Sequence, residues 1–386
     1  MPLKTARLNK QGLEHDRKFM LLKVREDGTF QNVQIIYFPE CARLFQAIDG
    51  DDIVVTHRPT GIEKDGSNVP GQSHIATELR VPLKPNTAGL KTVDIHLYGA
   101  ETRAYRMGAE PYDQWFSACL GYDVLLVYIG DGRRRILAHS PRQEAEANKT
   151  STAPITASSS SWLSSISSYI TGIPQPSEGE RPGDNKNEED DDWLTFNEAA
   201  PYLVASQASL RDVSSRLPPG ETADMMRFRP NIVVDGDEVT CWDEDYWGEL
   251  LVSPSSCNGG GGGDEERSKQ DKDDIGGRNS TCTLALTANC GRCLSINIDY
   301  ETGRMAEGEA GMVLKKLMRD RRVDAGHKWS PIFGRYAHLL PSLKADAVIT
   351  AAGHQDALAG AVIAVGDEVK VTKRNAERTV WRWPNT

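Results

Sequence analysis

Two cysteines three positions apart, Cys290 and Cys293, bracket a glycine and an arginine in the stretch TANCGRCLSINIDYETGRM (287–305). Such a pair has four chemical uses. A structural zinc site needs four ligands, usually a second pair or well-spaced histidines. The other cysteines (41, 119, 241, 257 and 282) form no second pair, and the eight histidines show no ligand spacing. A dithiol redox site places its first cysteine at a helix N-terminus. Here the pair runs into LSINID, whose alternation predicts a strand. Two inert core thiols are the plain structural alternative. The fourth use is a single thiolate serving a soft metal. Cysteine suits sulfur-loving centres, and a neighbouring arginine lowers a thiol pKa. Arg292 also offers a fork of donors to an anionic group, and Gly291 lets the backbone come close to a ligand. On these residues alone, inert thiols and a soft-metal thiolate both stay open.

The chain that must position this pair has 386 residues, 39% of them hydrophobic, which is enough for two domains. A net charge of −10 argues against a nucleic-acid footprint, which would present a basic face. No run approaches the ~18 apolar residues that span a bilayer. The opening MPLKTARLNKQGLEHDRKF lacks the apolar core of a secretory signal. Read as written, the protein is soluble and cytoplasmic. Seven cysteines at irregular spacing do not form a disulfide framework.

The first part of the chain reads as β-rich. KFMLLKV and FQNVQI flank Asp27-Gly28, a hairpin signal, and DIVVTH, TVDIHLY and VLLVYI add short strands. A helix is expected at 112–120, with Trp115, Phe116, Cys119 and Leu120 on its apolar side. Residues 143–192, rich in Ser, Pro and acid, cannot bury enough apolar surface to offset their ordering entropy and are expected to be a disordered insertion. Order resumes near Trp193. PYLVAS predicts a strand and 206–217 a helix capped by Ser206. RPNIVVDG predicts another strand, followed by DEDYWGELLV. The Gly-rich segment 253–281 has no strand before it, no helix after it and no GK[ST] ending, so it reads as a flexible insertion rather than a phosphate loop. A helix near 311–319 and a strand–turn–strand at AVIAVGDEVKV close the pattern. The expected class is mainly β with some α: two β-barrel-like domains, residues 1–142 and 193–376, with disordered insertions.

Several motifs resemble, in order, those of the MOSC family and its associated N-terminal β-barrel domain. They are QGLEHDRKFMLL, QWFSACLG, FRPNIVVDG with EDYWGELLV, NCGRCLSINIDYETGRM, SPIFGRYAHLL and GAVIAVGDEVKV. The resemblance covers nearly all of the chain outside the two insertions, and its architecture is similar to that of the amidoxime-reducing members. It implies a molybdenum–pterin cofactor and the reduction of N-hydroxylated compounds. It also implies electrons from a b-type cytochrome and its flavin reductase. Cys293 matches the molybdenum ligand, and Cys290 a position that is often not a ligand. Arg292 and Gly291 would lie against the pterin phosphate or the metal's oxo groups. Arg17, Arg229 and Asn231 match cofactor-contacting positions, and Glu198, Ala199 and Ala200 match a loop near the cofactor.

The sequence departs from the family in two places. The family's opening strand with its Y-P-[IV]-K-S motif has no counterpart, so the first strand is expected to be missing. With it would go any mitochondrial outer-membrane anchor. Ile35 and Ile36 also stand where relatives often carry polar or basic residues, at the expected substrate mouth. No Rossmann fingerprint or ferredoxin-type cysteine set is present, so electrons must come from a partner. No segment matches a pyridoxal-phosphate domain, so that cofactor is not expected. The reading is therefore a molybdenum-dependent oxidoreductase. The alternatives are a non-enzymatic carrier of cofactor or sulfur, or a degenerate member of the family.

Overall fold

In the computed structural model, residues 3–58, 78–144, 193–255, 281–341 and 360–383 are described. From residue 145 onward, the insertion expected at 143–192 lies outside them, as do residues 256–280 of the Gly-rich segment. Strands predominate and helices are short.

The first half runs β1 (Thr5–Asn9), β2 (Gly12–Leu13), β3 (Phe19–Val24), β4 (Phe30–Asn32), β5 (Leu44–Asp49), β6 (Asp52–His57), β7 (Glu78–Pro82), β8 (Thr92–Leu97), β9 (Ala100–Arg106), α1 (Gln114–Leu120), β10 (Val124–Tyr128) and β11 (Arg134–Arg135). The second runs β12 (Trp193–Leu194), β13 (Tyr202–Ser206), α2 (Gln207–Ser215), α3 (Met225–Phe228), β14 (Ile232–Val234), β15 (Trp247–Ser253), β16 (Cys282–Gly291), β17 (Ile298–Asp299), β18 (Arg304–Met305), α4 (Val313–Leu317), β19 (Ile332–Leu339), β20 (Val362–Ala364) and β21 (Glu368–Arg374).

The first half builds a five-stranded sheet, β4-β3-β10-β9-β8, and a three-stranded sheet, β5-β6-β7. The β3–β4 hairpin turns where expected. Gly28 takes φ 79°, and Asp27 Oδ1 accepts from the amide (2.9 Å) and hydroxyl (2.6 Å) of Thr29. β4 is shorter than FQNVQI suggests, because the chain turns again at Gln34, whose carbonyl accepts from Tyr37 N and Phe38 N. α1 buries the four apolar residues its periodicity marks and stops at Gly121, φ 81°. Its apolar face packs with Leu44, Val55, Leu79, Val81 and Leu126 to make one core.

The second half is organised by a six-stranded sheet, β14-β13-β19-β16-β15-β21. Only the β13–β14 pair in it is parallel, and α2 forms part of the crossover between those strands. β20 and β21 flank the Gly366 turn but do not pair with each other. β20 pairs with β1, and β21 with β15. Through that pairing Leu8 enters the second core, beside Tyr202, Val204, Trp247 and Leu284. The first strands of the chain thus help to close the second, barrel-like sheet.

LSINID is not a strand. Leu294–Asn297 forms a 3-10 turn, and only Ile298–Asp299 is extended. The ladder between β16 and β19 ends at Gly291–Ile332, followed by one more bond from Arg292 N to Pro331 O, and the chain then turns before Ile298–Asp299 pairs with β18. Polar groups within the turn are met locally. Ile296 N donates to Cys293 O, and Asn297 Oδ1 accepts from Leu314 N at 3.0 Å. Burial does not alternate through the turn: Leu294 is exposed, while Ser295, Ile296, Asn297 and Ile298 are all buried.

Ser206 caps α2 as expected, accepting from Ser209 N. The cap continues into a fully buried acid. Glu244 Oε2 accepts from Ser209 Oγ at 2.8 Å and lies 3.0 Å from Ser206 Oγ, while Oε1 has no partner. Burial raises the Glu244 pKa, against the pull of the two hydroxyls. A raised carboxyl pKa means that stability is greatest at low pH and is lost as pH rises through the folded value. Glu244→Gln keeps an acceptor and removes the buried charge. It should lie closest to wild type near pH 4.5 and gain on it as pH rises to 8, with a higher Tm there. Melting curves across that range check the sign.

Candidate cofactor site

The cysteine pair lies where β16 leaves the sheet. β16 is held on both sides, by β15 and β19, and carries register shifts between Leu286 and Ala288 and between Asn289 and Gly291. The chain then turns out, with Arg292 N donating to Pro331 O at 2.8 Å. The two cysteines part company here. Cys290 is 1% exposed and Cys293 is exposed. Burial raises the Cys290 pKa, opposed by Arg292, whose Nη1 donates to its sulfur at 3.1 Å. Cys290 is thus a neutral packing thiol. Cys293 opens the 3-10 turn, with its sulfur 3.2 Å from Ser295 Oγ. Were Cys293 a thiolate, Ser295 would be its donor.

Arg292 itself is 8% exposed. Nη2 donates to Phe228 O at 2.8 Å, and the guanidinium lies 5.6 Å from the Phe228 ring centroid. Nε is buried without a partner. Among the described residues, no carboxylate forms an ion pair with it. A guanidinium cannot shed its proton, so this is a buried cation whose Nε–H is left without an acceptor. Such a group favours an anion beside it.

Arg17, Arg229 and Glu198 come together around Tyr98, between the two halves. Burial raises the Tyr98 pKa, followed by the field of Glu198, while Arg229, Arg134 and Arg17 oppose them. Arg17 (φ 51°) and Arg229 (φ 55°) both have left-handed backbones, which are uncommon for arginine. Arg229 is the residue that ends α3, and Arg17 is paired to Asp16. Glu198 is exposed at the end of a loop that Arg134 straps down. Arg134, fully buried, donates to the carbonyls of Thr195 (3.2 Å), Glu198 (2.9 Å) and Asn197. Burial lowers its pKa to about 10, which leaves it charged at neutral pH.

Two residues have other occupations. Asn231 Oδ1 accepts from Leu203 N at 2.9 Å, Asn231 N donates to Leu203 O, and Nδ2 donates to Asp16 Oδ2 at 2.8 Å. Its amide therefore fastens β13 to the Asp16–Arg17 corner. At Gly291 the close neighbour is a side chain: an added Cβ would lie 2.9 Å from the His327 ring. Ile35 and Ile36 sit in the turn at 35–37, before the Pro39–Arg43 turn. Arg134 carried no sequence signal, because a basic run such as Arg133–Arg135 usually marks a solvated surface. Tyr98, Tyr300 and His327 had none either.

The model of the MOSC domain matches residues 191–370. The chain contains a MOSC domain. Curated relatives include mitochondrial amidoxime-reducing component 1 of Homo sapiens, 32% identical over 149 residues, which are 38% of this chain and 34% of that protein. The protein of that name from Danio rerio is 30% identical over 146 residues, with the same shares. That from Mus musculus is 33% identical over 146 residues. The chain thus spans about a third of the length of the curated relatives it matches.

In the MOSC domain the two cysteines of the pair differ in what reaches them. Brief treatment of the native protein with iodoacetamide should label Cys293, along with exposed Cys241, and leave Cys290 unmodified until the protein is denatured. Peptide mass spectrometry reads each site. Labelling of Cys290 at the rate of Cys293 would contradict the burial described here.

Proposed function

We propose that this chain binds a molybdenum–pterin cofactor through Cys293 and reduces N-hydroxylated compounds with electrons from a partner. One observation carries the reading: a buried guanidinium whose Nε has no partner, Arg292, stands directly before an exposed thiol. An anionic soft-metal cofactor answers both features. No group of three or more His, Cys, Asp or Glu able to hold a metal occurs among the described residues. A metal here would take one protein ligand, with its remaining ligands supplied by its own organic carrier.

In this reading Cys293 is the ligand and the catalytic group. Ser295 steadies its thiolate, and Arg292, Arg229 and Arg17 supply positive field from three separate segments. Glu198 and the buried Ala199 and Ala200 form one wall, kept in place by Arg134. Asn231 acts through Asp16, and Gly291 leaves room for His327. The cofactor would supply the two-electron step. Each turnover takes two electrons and two protons, breaks an N–O bond and releases water. The chain is divided accordingly into 1–142, the insertion 143–192, and 193–376 with its own insertion at 253–281.

The relatives' names motivate the amidoxime substrate, and the family resemblance motivates the b-type cytochrome and flavin reductase as donors. Their names also make mitochondrial attachment the placement to examine, by fractionation. Among the described residues no helix is long and apolar enough to cross a membrane.

The test is molybdenum per chain by elemental analysis, on protein from a cofactor-producing host, followed by amidoxime turnover with a b-type cytochrome and its reductase. Wild type and Cys290→Ala should carry near-stoichiometric metal, and Cys293→Ala should lose it. Metal without turnover would leave a carrier of cofactor or sulfur. No metal in any of the three would remove the reading.

A further inference from the structure

The turn that faces Gly291 holds an imidazole in place and leaves both its nitrogens without partners. Asp324 Oδ1 accepts from Gly326 N (2.8 Å) and Trp381 N (2.9 Å), and Asp324 O accepts from His327 N at 3.0 Å. The His327 ring stacks on Trp381, with centroids 4.6 Å apart. A Cβ at Gly291 would lie 2.9 Å from its Cε1 and 3.0 Å from both ring nitrogens, so the ring's position requires glycine there. Neither nitrogen has a hydrogen-bond or ion-pair partner among the described residues, and neither is fully buried. His139, which also stacks on Trp381, is different. It is 4% exposed, and its nitrogens face Glu144 Oε1 and Arg382 N, each at 2.8 Å.

The backbone sets the His327 ring on the same face as Cys293. Beyond the ladder Arg292 N donates to Pro331 O at 2.8 Å, and Cys293 is extended, with φ −118° and ψ −177°. Side chains of an extended chain alternate between two faces. Cys290 and Arg292 share one, since Arg292 Nη1 reaches the Cys290 sulfur at 3.1 Å. Gly291 and Cys293 therefore share the other. Two steps of extended chain span about 6.6 Å, so a small molecule held at Cys293 lies within reach of the ring over Gly291.

This imidazole is suited to moving a proton where its neighbours are not. Arginines keep their protons in proteins. Burial raises the pKa of Tyr98, of Tyr336, and of Tyr300, whose hydroxyl is buried without a partner. Imidazole gives up and regains its proton near neutrality. Burial lowers the His327 pKa. The fields of Asp324 and Glu198 oppose that shift, and His139 adds to it. Arg382 and Glu144, beyond His139, pair with one another.

We propose that His327 is the proton donor of the site, giving its proton to the oxygen that leaves when the N–O bond breaks. This rests on the function proposed above and assigns one of its two protons. The N–O bond takes up the two electrons. The hydroxyl oxygen takes the His327 proton and departs as water. The nitrogen takes the second proton from solvent, and solvent reprotonates His327.

Three measurements test the assignment. Molybdenum per chain and amidoxime turnover across pH are compared between wild type and His327→Gln. Modification by diethyl pyrocarbonate, read by peptide mass, is followed in wild type from cofactor-deficient and cofactor-producing hosts. In cofactor-free protein the reagent should mark His327 well before His139. In loaded protein, excess amidoxime should slow the marking of His327. The variant should keep its metal and lose about 10²–10⁴-fold in kcat with little change in KM. Wild-type kcat should fall as pH rises through the His327 pKa, which burial sets below the ordinary histidine value, and the variant should lack that limb.

A variant within a few-fold of wild type, or one that keeps the limb, overturns the proposal. So does a His327 no more reactive than His139, or one that amidoxime does not protect. Metal lost from His327→Gln would make the histidine a support of the loop and not a proton donor. Wild type without molybdenum or without turnover removes the functional reading itself, and the proton role with it; metal and undiminished turnover in the variant remove the proton role alone.

Discussion

A guanidinium buried at the centre of the second sheet decides where the loop of the cysteine pair begins. Arg335 of β19 is fully buried and donates to Leu286 O (3.0 Å), Asn289 Oδ1 (2.7 Å), Asp245 O (2.8 Å) and Thr379 Oγ1 (3.1 Å). Two of those acceptors lie on β16, beside its register shifts. Burial lowers the Arg335 pKa to about 10, with Asp245 the strongest opposing charge. Asp245, also fully buried, is shared with Arg321 at 2.8 Å and Arg378 at 2.8 Å. Breaking one partner of such a buried network typically costs about 3–5 kcal/mol, because a charge is left uncompensated. The bulged end of β16, and with it the direction in which Cys290, Gly291, Arg292 and Cys293 leave the sheet, depends on this network.

Three buried arginines show how the same side chain serves scaffold and site. Arg335 has four acceptors and Arg134 has three, drawn from segments far apart in sequence. Each leaves one nitrogen unpaired, but the rest of the guanidinium is spent on holding loops. Arg292 has one carbonyl, one thiol sulfur and an aromatic face. It has fewer acceptors than the other two; burial works to lower its pKa, but the fields of Cys290, Tyr336 and Glu198 hold it above the ordinary value. It also lies next to the one cysteine of the pair that solvent reaches.

The segment 379–383 ties the first half to the back of this region. Trp381 stacks on His327 at 4.6 Å and on His139 at 4.9 Å, and its amide donates to Asp324 Oδ1 at 2.9 Å. His139 Nε2 accepts from Arg382 N at 2.8 Å, so in its neutral form the ring carries its proton on Nδ1, facing Glu144 at 2.8 Å. His327 in turn sits against Gly291. Packing therefore runs continuously from residues 139–144 through Trp381 to the glycine between the cysteines. The halves meet at the site through side chains from both.

Much of the local structure was legible in the sequence. Alternation, an Asp-Gly turn and a four-residue apolar face determined the β3–β4 hairpin, the short strands and α1, and a serine before a helical run determined the α2 cap. These signals are local: each depends on neighbours within a few residues and on whether a face meets water. The resemblance in NCGRC drew attention to the loop that carries buried Arg292 and exposed Cys293. Three readings needed the tertiary structure. LSINID alternates like a strand but turns, with Ile296 N donating to Cys293 O and Asn297 Oδ1 accepting from Leu314 N. Asn231, which resembles a cofactor-contacting position, also binds Leu203 N and Asp16 Oδ2. Gly291 has its close neighbour, but it is the ring of His327. In each case the deciding partner comes from another part of the chain, 36 residues away for Gly291 and 215 for Asn231. A sequence pattern says which groups are polar or apolar, but which of them find partners on folding, and which, like Arg292 and Tyr300, are left without, is set only when distant segments meet.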